Sequence, residues 1–151
     1  MFAVPADAHD PKAHTQQAGE TQERTGVDIP DDRKYTKEHE WALADGDVVT
    51  VGITEFAQDQ LGDVVFVDLP DEGGEVTQLE KMGEIESVKA VSDLYSPVTG
   101  RVVKVNDGLA KSPEIVNEDP HGAGWLIQVE LADASELDGL MSAEAYEALI
   151  S

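Results

Sequence analysis

No cysteine occurs among the 151 residues of the sequence. That absence excludes disulfides, thiolate nucleophiles and cysteine-ligated metals, so any redox chemistry would have to reside on an attached group. Aromatic residues make up only 5%, and a core must be built mainly from Val, Leu, Ile and Ala. Basic residues are scarce too: 10 Lys and Arg stand against 32 Asp and Glu, a formal charge of −22. So acidic a surface repels phosphate backbones and anionic lipid heads, which argues against nucleic-acid and membrane partners. It suits docking onto basic patches of other proteins, or solubility in a salty cytoplasm. No apolar run approaches the roughly 20 residues needed to span a bilayer. The N-terminus lacks the basic start and apolar block of a secretory signal, and its acids and few arginines argue against a transit peptide. The expected location is a bacterial cytoplasm.

With 40% hydrophobic and 28% charged residues the composition is globular, and the length suits one domain with its own core. Residues 1–32 are rich in Asp, Glu, Gln, Thr, Ala, Pro and His without a sustained apolar period, and are expected to form a flexible extension. Residues 33–151 carry the domain. Runs at 40–43 and 48–53 flank Asp45-Gly46-Asp47, a strong hairpin signal. Thr54 is placed to cap a short helix over 55–61, and Gly62 to end it. The run 63–69, with Val64-Val65-Phe66-Val67 inside it, predicts a strand buried on both faces or central in its sheet. Segments 75–79, 83–88, 101–105 and 125–131 read as further strands, the last with Trp125, Ile127, Val129 and Leu131 on one face. The period then changes. Ser135-Glu136-Leu137-Asp138 has capping-box spacing, and Leu137, Leu140, Met141, Tyr146, Leu149 and Ile150 recur at helical spacing, interrupted by Gly139. One broken helix or two short ones should pack on the sheets. Short strands with frequent turns and little helix imply a β-sandwich or flattened barrel.

Lys89 is the residue that points to chemistry. It lies between strand-like runs, Glu84-Ile85-Glu86 on one side and Asp93-Leu94-Tyr95 on the other, with Pro97 and Gly100 following. A lysine ammonium is ordinarily a charged, well-solvated surface group. Acylation removes the charge and lengthens the side chain into an arm, and a modifying ligase needs the amine on a rigid, convex turn. Tethering a cofactor there converts attack on a free molecule into an encounter at high local concentration.

The segment Glu86-Ser87-Val88-Lys89-Ala90 resembles the lipoate-attachment hairpin of glycine cleavage system H proteins. The likeness extends to Tyr35-Thr36-Lys37-Glu38-His39-Glu40-Trp41, to Val51-Gly52-Ile53-Thr54, and to Leu61-Gly62-Asp63-Val64-Val65-Phe66-Val67. It reaches Pro113-Glu114-Ile115-Val116-Asn117-Glu118-Asp119-Pro120 and Gly124-Trp125-Leu126 as well. Departures are the long leader and Gln78-Leu79-Glu80-Lys81-Met82, where the family usually has a Gly-containing turn. The resemblance implies a mainly β barrel-sandwich hybrid of the lipoyl/biotinyl-carrier type, with a short internal helix and a C-terminal helical segment. It implies lipoate covalently bound at Lys89, and a monomeric carrier with no catalytic residues of its own. The implied partners are a pyridoxal-phosphate glycine decarboxylase, a folate-dependent aminomethyltransferase, a dihydrolipoyl dehydrogenase, and a lipoate ligase or lipoyl transferase. Glu40 and Asp93 match acidic positions near the family's arm-binding cleft, where a carboxylate pair can hold a protonated aminomethyl nitrogen. Glu86 and Ser87 are candidates for recognition by the ligase.

Other chemistry finds little support. His39-Glu40 lacks the second histidine of a zinc-protease helix, since position 43 is Leu43. His9, His14 and His121 show no metal-ligand spacing, so no metal is expected. No serine sits in a Gly-x-Ser-x-Gly elbow, and no nucleophile and base pair up. Dehydrogenase lipoyl domains usually show Asp-Lys-Ala and biotin carriers Met-Lys-Met, where this chain has Val88-Lys89-Ala90. The competing readings are a lipoyl carrier serving lipoyl relay or another lipoate-dependent complex, and an unmodified interaction module.

Overall fold

The structure, a computed structural model, describes residues 28–151. Its strands are β1 (Lys34–Tyr35), β2 (Glu40–Asp45), β3 (Val48–Ile53), β4 (Val64–Asp68), β5 (Glu75–Val76), β6 (Lys81–Ser87), β7 (Val91–Tyr95), β8 (Gly100–Val105) and β9 (Ile127–Leu131). Short helices intervene: α1 (Glu55–Leu61), α2 (Gly108–Lys111), α3 (Ile115–Glu118) and the C-terminal α4 (Ala143–Ile150). A six-stranded antiparallel sheet has the order β1-β2-β3-β9-β8-β5, and a three-stranded one the order β4-β6-β7.

Local sequence accounts for most of these elements. β2 and β3 pair from Glu40↔Ile53 to Asp45↔Val48, and Gly46 supplies the positive φ of 66° that so tight a reversal needs. Thr54 caps α1 by accepting the amide of Ala57, and Gly62 follows its last turn. In β9, Ile127 and Val129 are buried while Glu130 is exposed, the alternation of a strand with one wet face. Val49, Val51, Val102 and Val129 of the large sheet share a core with Val64, Ile85 and Leu94 of the small one. Four aromatic residues form a second cluster with α4. There Tyr35 stacks on Tyr146 with centroids 4.8 Å apart, beside Trp41, Phe56 and Ile150.

Three expectations change. β4 is neither central nor doubly buried: it forms an edge of the small sheet, with Val65 48% and Phe66 56% exposed. A run of apolar residues records composition, and it does not say which side of a sheet receives a neighbour. The capping box at Ser135 does not form. Asp133 caps a 3-10 segment, Ala134–Gly139, while Glu136 turns away to take the amide and hydroxyl of Thr99 at 2.6 and 2.7 Å. Finally, the strand expected over 75–79 stops at Val76, and Leu79, at a φ of 67°, lies in the turn that follows. The extension expected over residues 1–32 lies, for 1–27, outside the described residues. Residues 28–32 lie against the body: Ile29 packs on the aromatic cluster and the Tyr35 hydroxyl donates to the Pro30 carbonyl.

Candidate functional site

The hairpin expected around Lys89 is β6–β7, with Glu84 opposite Asp93 and Glu86 opposite Val91. Its tip is the turn Val88-Lys89-Ala90, all three residues exposed. Ser87 closes this turn. Its amide donates to the Ala90 carbonyl at 2.8 Å, and its hydroxyl oxygen accepts the amides of Lys89 and Ala90 at 3.2 and 3.1 Å. Ser87 is itself buried, so its geometry serves the turn from within. Glu86 is exposed and stands between Phe66 of β4 and Val91 of β7 in one cross-strand row. Val88 and Val91 at the tip, and Val65 and Phe66 on β4, are large apolar residues left exposed.

The turn rests on a floor made by the α1–β4 junction. The Val88 amide donates to the Asp63 carbonyl at 3.0 Å. The stem of Lys89 lies across Gly62, where a β-carbon would come within 3.3 Å of its Cε. Asn117, from α3, locks this junction. Its side-chain amide donates to the Gly62 carbonyl at 2.8 Å and to Gln58 Oε1 at 2.9 Å, and its Oδ1 accepts the Val64 amide at 2.9 Å. Among the described residues the Lys89 ammonium has no ion pair or hydrogen bond. An amine that is free, exposed and held on a braced turn fits a covalently attached acyl group.

Asp93 and Glu40 occupy opposite environments. Asp93 is exposed on β7 and ion-paired with Lys81 at 3.3 Å, which also meets Glu84 at 2.7 Å. Glu40 is 1% exposed. Its Oε1 accepts the Thr36 hydroxyl at 2.7 Å and its Oε2 accepts the Tyr95 amide at 3.0 Å, so one carboxyl ties β2 to the opposite sheet. Burial pushes the Glu40 carboxyl up to about 8, against the two hydrogen bonds that favour its charged form. The carboxyls do not meet directly. Tyr95 connects them, its amide on Glu40 and its hydroxyl 3.4 Å from Asp93 Oδ2. Thr36 and Tyr95 line a cavity of about 520 Å³ shared with Tyr35, Leu79, Leu140 and Met141. Glu40 therefore sits directly behind the cavity wall.

Next to Glu40 in sequence, His39 takes a φ of 74° and is buried. Its Nδ1 lies 2.8 Å from the Tyr146 hydroxyl, which also lies 2.8 Å from Thr54 Oγ1, so α4 is fastened to the start of α1. Burial lowers the His39 pKa to about 4. The supporting residues Gly62, Asp63 and Asn117 stand inside stretches that resemble the family, but their part in seating the lysine has no local signature. Only the contact between α3 and the α1–β4 junction reveals it.

Two antiparallel sheets around a shared core, with an exposed lysine at a hairpin apex, define a barrel-sandwich hybrid of the lipoyl/biotinyl-carrier type. The chain belongs to the glycine cleavage H-protein family, whose model matches residues 33–151. It is 58% identical over 122 residues to the glycine cleavage system H protein of Myxococcus xanthus, spanning 81% of this chain and 95% of that one. It is likewise 58% identical over 119 residues to the probable glycine cleavage system H protein of Haloarcula marismortui, spanning 79% and 94%. The crystal structure of a glycine cleavage system H protein from Mycobacterium marinum matches with a TM-score of 0.73 at 44% identity, over 80% of this chain and 97% of that chain.

Proposed function

We propose that this chain is the lipoyl carrier of the glycine cleavage system, with lipoate in amide linkage on Lys89. The observation that carries the reading is the free, exposed amine on a turn braced by Ser87, Asp63 and Asn117. Bound there, the lipoyl group supplies a disulfide that accepts an aminomethyl unit and is left as a dithiol when that unit is removed. The corresponding partners are a pyridoxal-phosphate glycine decarboxylase, a folate-dependent aminomethyltransferase and a dihydrolipoyl dehydrogenase. A lipoate ligase or lipoyl transferase makes the attachment. The protein acts as their shared substrate, as a monomer in the cytoplasm of a bacterium.

The chain's own residues present and shelter the arm. Ser87 holds the turn so that Lys89 projects, and exposed Glu86 beside Val88 and Val91 offers the ligase a charged and apolar surface to read. Asp93 stands two residues along β7 from Val91, about 7 Å of strand, within reach of a flexible arm. Asp93, now paired with Lys81, would be the carboxylate to hold a cationic nitrogen on such an arm. Glu40 acts from behind the cavity wall, fixing Thr36 and the Tyr95 amide. An apolar recess lined by Tyr35, Leu79 and Met141 keeps water from the loaded arm.

Intact-mass analysis after incubation with lipoate, ATP and a lipoate ligase tests this directly. One lipoyl addition that maps to Lys89 and is lost in Lys89→Arg is the expected result. No addition, with the ligase active on a control carrier, overturns the proposal. Reconstitution of glycine decarboxylation with the three partner enzymes then separates this role from lipoyl relay.

A further inference from the structure

The small sheet β4-β6-β7 turns one face to the core, through Val64, Ile85 and Leu94, and leaves the other outside. Strand pairing fixes what the outer face carries. Phe66 stands opposite Glu86 and Glu86 opposite Val91, and the next row is Asp68, Glu84 and Asp93. Phe66 reaches this face through a β-bulge. The register with β6 shifts between Val64, opposite buried Ser87, and Phe66, opposite exposed Glu86, so that Val65 is the extra residue. Without it, the alternation that begins at buried Val64 would have turned Phe66 inward. With it, Phe66 is 56% exposed, next to Val65 at 48%, and Val91 across the row is 59% exposed.

A bulge that re-aims an aromatic side chain from the core to the surface, together with an apolar patch it helps to build, marks an interaction site. Charge selects the occupant. Among the described residues Asp68 and Glu86 have no ion pair, and Lys81 is the cation that meets Glu84 and Asp93. A second copy of the chain, with its formal charge of −22, would set acidic rows against one another. Residues 1–27, with four acids against two bases, are no better matched. The complementary surface is an apolar recess bordered by Lys or Arg.

We propose that this outer face is where the lipoate ligase docks, with Phe66 seated in an apolar recess of the enzyme and basic residues around it facing Asp68 and Glu86. The inference rests on Lys89 being the acylated residue. An unmodified lysine side chain is short, so the enzyme that acylates it must bring its body against the surface beside the turn. A standard interface covers about 800 Å² on each partner, a disc of about 16 Å radius. The row from Phe66 to Val91 begins about 7 Å along β6 from the turn and is about 10 Å wide, so it falls within a footprint centred on the lysine.

Steady-state lipoylation of the full chain by a lipoate ligase, with the carrier varied, tests the face. Phe66→Ser should raise the KM for the carrier at least fivefold with little change in kcat, and Phe66→Leu should recover most of the loss. Leu149→Ser, an exposed apolar residue on α4, should leave KM unchanged. In Asp68→Asn/Glu86→Gln the rise of KM with salt should flatten. A folded Phe66→Ser with the parent's KM overturns the docking proposal and leaves the carrier function standing, whereas a parent that is not lipoylated at all overturns both. A parent that sediments as a dimer, and as a monomer in Phe66→Ser, gives the face to a second copy and overturns the proposal too. Should Phe66→Ser fail to fold, the double variant decides, and an unchanged salt dependence overturns it.

Discussion

Lys89 lies across Gly62, its Cε 3.3 Å from where a β-carbon on that glycine would sit. The relationship joins the Lys89 turn to the end of α1. Gly62 has φ 82° and ψ −158°, a backbone region essentially reserved for glycine. Gly62→Ala should therefore cost about 1–3 kcal/mol of stability. It should also slow lipoylation more than a surface change of equal size, because it lifts the acceptor's stem. Urea midpoints and initial rates with a lipoate ligase measure the two effects separately. An unchanged rate in a folded variant would show that the floor under the lysine is dispensable.

Asn117 makes three bonds at this junction, to Gly62, Gln58 and Val64. Removing a partly buried amide that satisfies backbone groups costs about 1–3 kcal/mol. Asn117→Ala should lose that much and raise the ligase KM for the carrier. Asn117→Asp keeps the acceptor for the Val64 amide but sets a carboxylate oxygen against the Gly62 carbonyl, so its loss should be at least as large as that of Asn117→Ala.

Glu40 predicts an unusual alkaline trend. Its folded pKa, about 8, lies above the ordinary value of 4.5. The folded state therefore holds a proton that the unfolded state releases. The corresponding stability is complete below about pH 4.5 and is lost as pH rises through 8. In Glu40→Gln the amide oxygen can take the Tyr95 amide while its NH₂ donates to Thr36 Oγ1. Urea midpoints of this variant should hardly vary between pH 7 and 9, above the range in which the buried histidines titrate, whereas those of the parent decline. A parent protein with the same flat profile would show that Glu40 is ionised throughout.

The buried histidines act in the other direction. His39 and His121 have folded pKa values of about 4, below the ordinary 6.5. The unfolded chain binds the extra protons, so stability is lost as pH falls from about 6.5 towards 4. Imidazole resonances followed by NMR should titrate near 4 for both. Midpoints near 6.5 would place the rings in water.

Tyr146 carries one hydroxyl between His39 and Thr54. Tyr146→Phe keeps the stacking on Tyr35 and removes both contacts, at about 1–2 kcal/mol. Amide exchange in α4 should accelerate, and uniform protection would refute the idea that this hydroxyl docks the helix.

Local signals made much of the fold legible. Gly46 marks a reversal because it tolerates positive φ, and Thr54 marks a helix start because its hydroxyl can take a free amide. The lysine hairpin was legible as alternating strands converging on one turn. The capping box at Ser135 was not reliable, because the cap falls two residues earlier at Asp133, whose carboxylate takes the Ser135 amide and hydroxyl. The exposure of Val65 and Phe66 was equally hidden, since edge position depends on which strand pairs and which does not.

The sequence by itself determined the strand and turn plan, the carrier-type hairpin and Lys89 at its apex, because those depend on contacts within a few residues. Only the tertiary structure decided how acids of the same kind differ. Glu40 is enclosed between two sheets, and burial pushes its pKa up, whereas Asp93 stays exposed and pairs with Lys81. It also decided that Gly62 and Asn117 would support the lysine and that a bulge in β4 would leave Phe66 on the outer face. Those outcomes depend on burial and on neighbours brought from far along the chain, and no local pattern of residues encodes either.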